Sequence, residues 1–220
     1  MKRYAPLLLL AAACDSPVIP GRDVADVYPF DLATQPPRVL RWPAGHAVRV
    51  YVAAGRNETS TAALRAAFDA GAAAWNEAAI FAEFRLEATS DITLANAVLA
   101  WSDVIPPVET DQCRPALTQA VTTFCIDGLT TDSARLRAFP LRAPQTGESR
   151  VRFLVTVLGT EIANAQRLVA HELGHVLGIS RHSDDARDLM WRTDPQVSRP
   201  TRRDAATVQV LYHTRADIVP

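Results

Sequence analysis

Lysine is all but missing from this chain of 220 residues: Lys2 stands alone, and arginine carries nearly all the positive charge. Lys and Arg total 23 against 24 Asp and Glu, a formal net charge of -1. With no surplus of positive charge, no nucleic-acid partner is expected. The lack of lysine beside plentiful alanine and proline reflects coding bias rather than chemistry. Cysteine is scarce too, with Cys14, Cys113 and Cys125 only. There is no CxxC pair and no His close to one, which argues against a cysteine zinc site. No apolar run is long enough to span a bilayer as a helix. Repeats and low-complexity tracts are absent. What remains is ordinary apolar content, 48 %, on a chain long enough for one compact domain with a real core.

The start of the chain is informative. Met1-Lys2-Arg3 is basic, Leu7 to Ala13 is a short apolar run, and Cys14 follows. This has the form of an export signal. Ala11-Ala12-Ala13-Cys14 also resembles the lipobox of bacterial lipoproteins, which implies cleavage before Cys14, a lipid on its thiol and attachment to a bilayer. A plain secretory signal is the alternative. The expected location is thus the cell envelope, or outside the cell if no lipid is attached. Removing residues 1–13 leaves Cys113 and Cys125 as an even pair once Cys14 is lipidated. In an exported protein such a pair favours a disulfide, with two separate buried thiols as the other reading.

Residues 14–40 hold five prolines, Pro17, Pro20, Pro29, Pro36 and Pro37, and read as a tether or extended arm. A domain is expected over 41–215 and a short tail over 216–220. Val48 to Val52 alternates and is rich in β-formers, so it is expected as the first strand. Thr59-Ser60-Thr61 offers a cap for a helix over 61–79, with Trp75 facing the core. Phe81 to Glu87 and Ala97 to Trp101 read as the next strands. Ala120 to Ile126 is short and polar enough for a sheet edge. Val151 to Leu158 is the strongest strand pattern. Thr160 can cap a helix running to about Leu177, ended by Gly178, and a last helix should run from Thr201 or Arg202 to about Tyr212. The fold class is α+β, with a mixed sheet of about five strands.

The second helix contains His171-Glu172-Leu173-Gly174-His175. Two His at i and i+4 share one helix face, and their imidazoles can meet one metal ion. Glu172 stands beside the metal without needing to ligate it, which suits a general base acting on water. His182 follows the helix end, so three of the five His lie within twelve residues, as a three-ligand catalytic zinc site with one open position requires.

His171 to Gly178 matches the first eight positions of the metzincin signature, and Leu189-Met190 resembles the Met-turn of that family. His182-Ser183-Asp184-Asp185, with Asp188-Leu189-Met190, resembles the matrixin branch most. The resemblance extends over about residues 41–213. It implies a metzincin-like zincin fold with an edge strand, an active-site helix, a Met-turn and a C-terminal helix. It also implies one catalytic zinc ion held by His171, His175 and a third His, with Met190 beneath it. The family places that third His three residues after the Gly. Here Arg181 occupies that place, and Arg cannot ligate zinc. One extra residue in the turn brings His182 into register with Met190, while Asp184 and Asp185 are the competing ligands. Calcium at Asp184-Asp185 has no specific support, since a solvated acidic face explains them better. The expected activity is zinc-dependent endopeptidase, a monomer that binds an extended peptide along the 120–126 edge. Trp191 to Val197 would shape the pocket beyond the cleaved bond. The alternatives are a zinc-binding domain without peptidase activity and a zinc hydrolase acting on something other than peptides.

Overall fold

A computed structural model describes residues 26–102, 120–126, 151–158, 164–193 and 195–220, with backbone alone for 120–126, 151, 152 and 158. The elements follow one another as β1 (His46–Val52), α1 (Glu58–Ala78), β2 (Phe84–Thr89), β3 (Ala97–Ser102), β4 (Ala120–Ile126), β5 (Val151–Leu158), α2 (Ala165–Val176) and α3 (Arg202–His213). A 3-10 turn at Ile92–Leu94 precedes β3. The order of elements and the α+β class agree with the sequence reading. The sheet runs β2-β1-β3-β5-β4. The pairs β1–β2, β1–β3 and β3–β5 are parallel, and only β4 runs antiparallel, at the edge against β5.

The sheet's two faces are unequal. Val48, Val50, Ala97, Leu99, Phe153, Val155 and Val157 point to one side and join the helices in the main core. Val98, Ala100 and Leu154 point to the other and form a small cluster with Tyr51, Ala53 and Ile92. The two-residue period of each strand makes this division.

Helix α1 starts earlier than Thr59-Ser60-Thr61 suggests. Asn57 is the cap, accepting from the Ser60 N–H at 2.8 Å, and Ser60 Oγ accepts the Asn57 N–H at 3.0 Å. This reciprocal box satisfies two of the donors that a helix start leaves open. Leu64, Phe68, Gly71, Trp75 and Ala78 form the buried stripe. Strand β2 starts later than expected. The chain leaves α1 through a tight turn with Ala82 at φ 54°, which leaves Ile80 and Phe81 half exposed. Glu83, polar and therefore assigned to the outer face by alternation, is buried and accepts the Phe81 N–H at 3.0 Å. Thr160 lies outside the described residues, and helix α2 is described from Asn164 onward.

From Asp26 on, the stretch read as a tether or arm is laid against the domain. Tyr28, Leu32 and Leu40 are buried in the main core. Leu40 forms a parallel bridge with Ile218, so the 216–220 tail is fixed as well. No helix among the described residues is long and apolar enough to cross a membrane.

Candidate metal centre

Helix α2 presents the site, and its C-terminal end shows how. A helix leaves its last carbonyls without intrahelical partners. Here Gly178 N–H donates to His175 O at 3.0 Å and Ile179 N–H to Gly174 O at 3.1 Å, the paired bonds of a Schellman turn. Gly178 takes φ 110°, and a Cβ there would lie 2.3 Å from the Leu40 carbonyl oxygen. Two carbonyls remain, and two buried aromatics take them: Trp42 Nε1 donates to Val176 O at 2.8 Å and Tyr212 to Leu177 O at 3.2 Å. The turn brings the Ile179 carbonyl back over the helix, where His175 Nδ1 donates to it at 2.6 Å. His171 Nδ1 donates likewise to Leu189 O at 2.7 Å.

These two bonds fix both tautomers. With Nδ1 protonated, each neutral ring turns a bare Nε2 lone pair the other way. The structure brings His182 to meet them. One nitrogen of each of His171, His175 and His182 lies within 4.8 Å of the others, and His175 Nε2 is 3.3 Å from His182 Nε2. Zinc–nitrogen bonds of about 2.0–2.1 Å at tetrahedral angles set nitrogens about 3.3 Å apart, so the donor set fits that ion. Burial pushes the His171 imidazole down to about 4, with a smaller contribution from His182. His175 is driven well below its ordinary value by burial and by both other imidazoles, and His182 is lowered by burial and by Arg192. All three are therefore neutral at pH 7, the state a metal ligand needs. Glu172 is buried at 5 % exposure, one residue after His171.

The other candidate ligands are engaged elsewhere. Asp184 pairs with Arg203 at 2.7 Å and Asp185 with Arg187 at 2.6 Å, and these bonds hold both carboxyls below the usual range. Neither joins the three nitrogens. Arg181, the additional residue, turns away: its guanidinium donates to the Asp31 carboxylate at 2.8 Å and to the Asp31 carbonyl at 3.1 Å. Cys14 and Cys113 lie outside the described residues. Cys125 is opposite Arg152 in the β4–β5 ladder, and the expected disulfide rests on side chains that are likewise outside.

Met190 is fully buried against α2. A Cβ on Gly174 would come 2.4 Å from Met190 Sδ and 2.9 Å from Trp75 Cζ2. Glycine at that position lets the sulfur reach the helix backbone between the two His. The turn that carries Met190 is held chiefly by Asp204, which the sequence did not single out, together with Asp188. Asp204, fully buried, faces five donors through its two oxygens. Oδ1 takes Tyr28 OH at 2.7 Å and Met190 N–H at 3.3 Å; Oδ2 takes Leu189 N–H at 2.9 Å, Thr201 N–H at 2.8 Å and Thr201 OH at 2.8 Å. Asp188, also buried, takes Ser183 OH at 2.5 Å, Thr201 OH at 2.7 Å and Arg203 at 3.1 Å. The single Thr201 hydroxyl proton is thus shared between the two carboxylates. Leu189 is the link to chemistry, since its N–H is held by Asp204 and its carbonyl orients His171. The only hint in the sequence was Thr201-x-x-Asp204, the form of a capping box, which it also is.

Trp191 is only partly buried. A search of curated proteins found no match. The matrixin family matches residues 42–213, a span that covers both His of α2, His182, Met190 and Asp204. With that match over most of its length and three imidazoles converged for one metal ion, the chain belongs to the matrixin family of zinc metallopeptidases.

Proposed function

We propose that this protein is an exported endopeptidase that cuts peptide bonds at a single zinc centre, with His171, His175 and His182 as ligands and Glu172 as general base. The convergence of three neutral imidazoles beside a buried carboxylate carries this reading. Three protein ligands leave a position open for chemistry, whereas structural zinc sites close it with a fourth. Bound zinc supplies Lewis acidity, acidifying water and polarising the substrate carbonyl. Glu172 accepts the proton as water adds to the carbonyl carbon, then gives it to the departing amine nitrogen. The two backbone carbonyls on His171 and His175 keep those rings from rotating. Strand β4, last in the sheet order, offers an edge to which an extended substrate can add as a further strand. The basic start, apolar run and Cys14 support export and a lipid anchor.

The test is Glu172→Ala in the full mature chain. Zinc content measured by mass spectrometry should stay stoichiometric, while cleavage of a broad peptide library falls to background. A mutant with near-normal turnover sinks the assignment of Glu172. Wild-type protein with full zinc that cleaves nothing sinks the peptidase reading.

A further inference from the structure

Arg192 is exposed and follows the Met190 turn directly. Its guanidinium lies over the Trp191 ring, 5.1 Å from the centroid. Trp191 pairs with Ser183 in a parallel bridge, so Arg192 sits beside the short segment that carries His182.

Neighbouring arginines are matched to carboxylates: Arg181 to Asp31, Arg187 to Asp185, Arg199 to Glu77, and Arg203 to Asp184 and Asp188. Arg192 is matched to none among the described residues. A cation at this place opposes the binding of a divalent ion by three adjacent imidazoles, since like charges close together repel. An anion arriving there would offset that repulsion. A guanidinium held over an indole face keeps N–H groups free for a carboxylate, and the contact restricts its motion beforehand.

We propose that Arg192 is a specificity residue that binds a carboxylate of the substrate close to the cleaved bond. The carboxylate can come from an acidic side chain or from the free C-terminus of a short peptide. This rests on the peptidase reading above.

The experiment compares wild-type protein, R192Q and R192E on matched fluorogenic peptides. One set differs as Glu, Gln or Lys at each position flanking the cleaved bond; the other differs as free acid or C-terminal amide. Wild-type kcat/KM should favour one carboxylate source by about two- to fivefold, the scale of an exposed charge pair. In R192Q that ratio should collapse towards one, and in R192E Lys should be favoured over Glu. A glutamate preference assigns the side chain as the source; an acid-over-amide preference assigns the terminus. The second readout is binding, by fluorescence polarisation of the same peptides on zinc-loaded Glu172→Ala with and without R192Q, where the Kd ratio should follow the same pattern. Equal wild-type handling of all pairs, or a preference that R192Q leaves intact, overturns the proposal. If wild-type protein cleaves no peptide at all, the peptidase reading fails, and the binding ratio alone decides for or against Arg192.

Discussion

Replacing Asp204 separates its two oxygens energetically. Asp204→Ala strands the N–H groups of Leu189, Met190 and Thr201 and the Tyr28 hydroxyl in a site with no solvent exposure. Each buried donor left without a partner costs about 1–3 kcal/mol, and some relaxation or water entry recovers part of it, so the total should be on the order of 3–5 kcal/mol. In Asp204→Asn the amide nitrogen fits best on the Oδ1 side. The Tyr28 hydroxyl there can reverse and accept, and only the longest bond, Met190 N–H at 3.3 Å, is lost. That variant should cost about 1–2 kcal/mol. Urea unfolding of the two variants beside wild type gives both numbers, provided the slopes match. Because Leu189 bridges Asp204 to His171, zinc affinity should weaken in the same order, Ala more than Asn. Equal costs for Ala and Asn, or a cost below about 1 kcal/mol for Ala, would show that the bonds around Asp204 do not hold the Met190 turn.

Further expectations concern the turn and the anchor. Gly178→Ala should cost about 2–4 kcal/mol, because φ 110° suits glycine and the new Cβ would meet the Leu40 carbonyl; an unchanged unfolding midpoint would contradict this. His182→Ala should weaken zinc binding about 100-fold or more, because loss of a ligand exceeds the roughly 10- to 100-fold cost of losing an outer partner. Arg181→Ala should change it far less, and competition with a chromogenic chelator compares the two. Cys14→Ser should abolish membrane partition or leave the precursor uncleaved, as read by mass and by detergent phase separation; unchanged mass and partition would dismiss the lipid anchor.

Much of the site was legible in the sequence because its chemistry demands particular residue types at helical spacing. His171 and His175 can share a metal only as i and i+4, and Gly178 marks the end of the helix that carries them. The strands were legible by alternation in Val48 to Val52, and by a run of β-favouring residues in Val151 to Leu158, where side chains 153–157 are buried on both faces. Alternation failed at Glu83, where a tight turn and a backbone hydrogen bond outweigh the preference for exposing a carboxylate. The helix cap moved to Asn57 because several polar residues stood in a row and only coordinates show which side chain folds back. The arm was read as a tether on proline content. Composition could not show that Tyr28 and Leu40 have buried places prepared by α3, Gly178 and Ile218. Asp204 was missed for a related reason: a capping residue declares one role in sequence, and its second, holding the turn beneath the metal, depends on a loop from elsewhere in the chain.

The Tyr28–Asp204 bond joins residues 176 positions apart, and the Tyr28 N–H reaches Thr207 over 179. Contacts so distant in sequence form slowly, and during synthesis the N-terminal part must wait for its partner. Until Asp204 emerges from the ribosome, nothing clamps Leu189, and the carbonyl that orients His171 has no fixed place. The metal centre is therefore completed only after residue 204 has been made, so a chain truncated before Asp204 lacks the finished site. The order of the residues thus ties the place of His171 to a contact between the first and the last described parts of the domain.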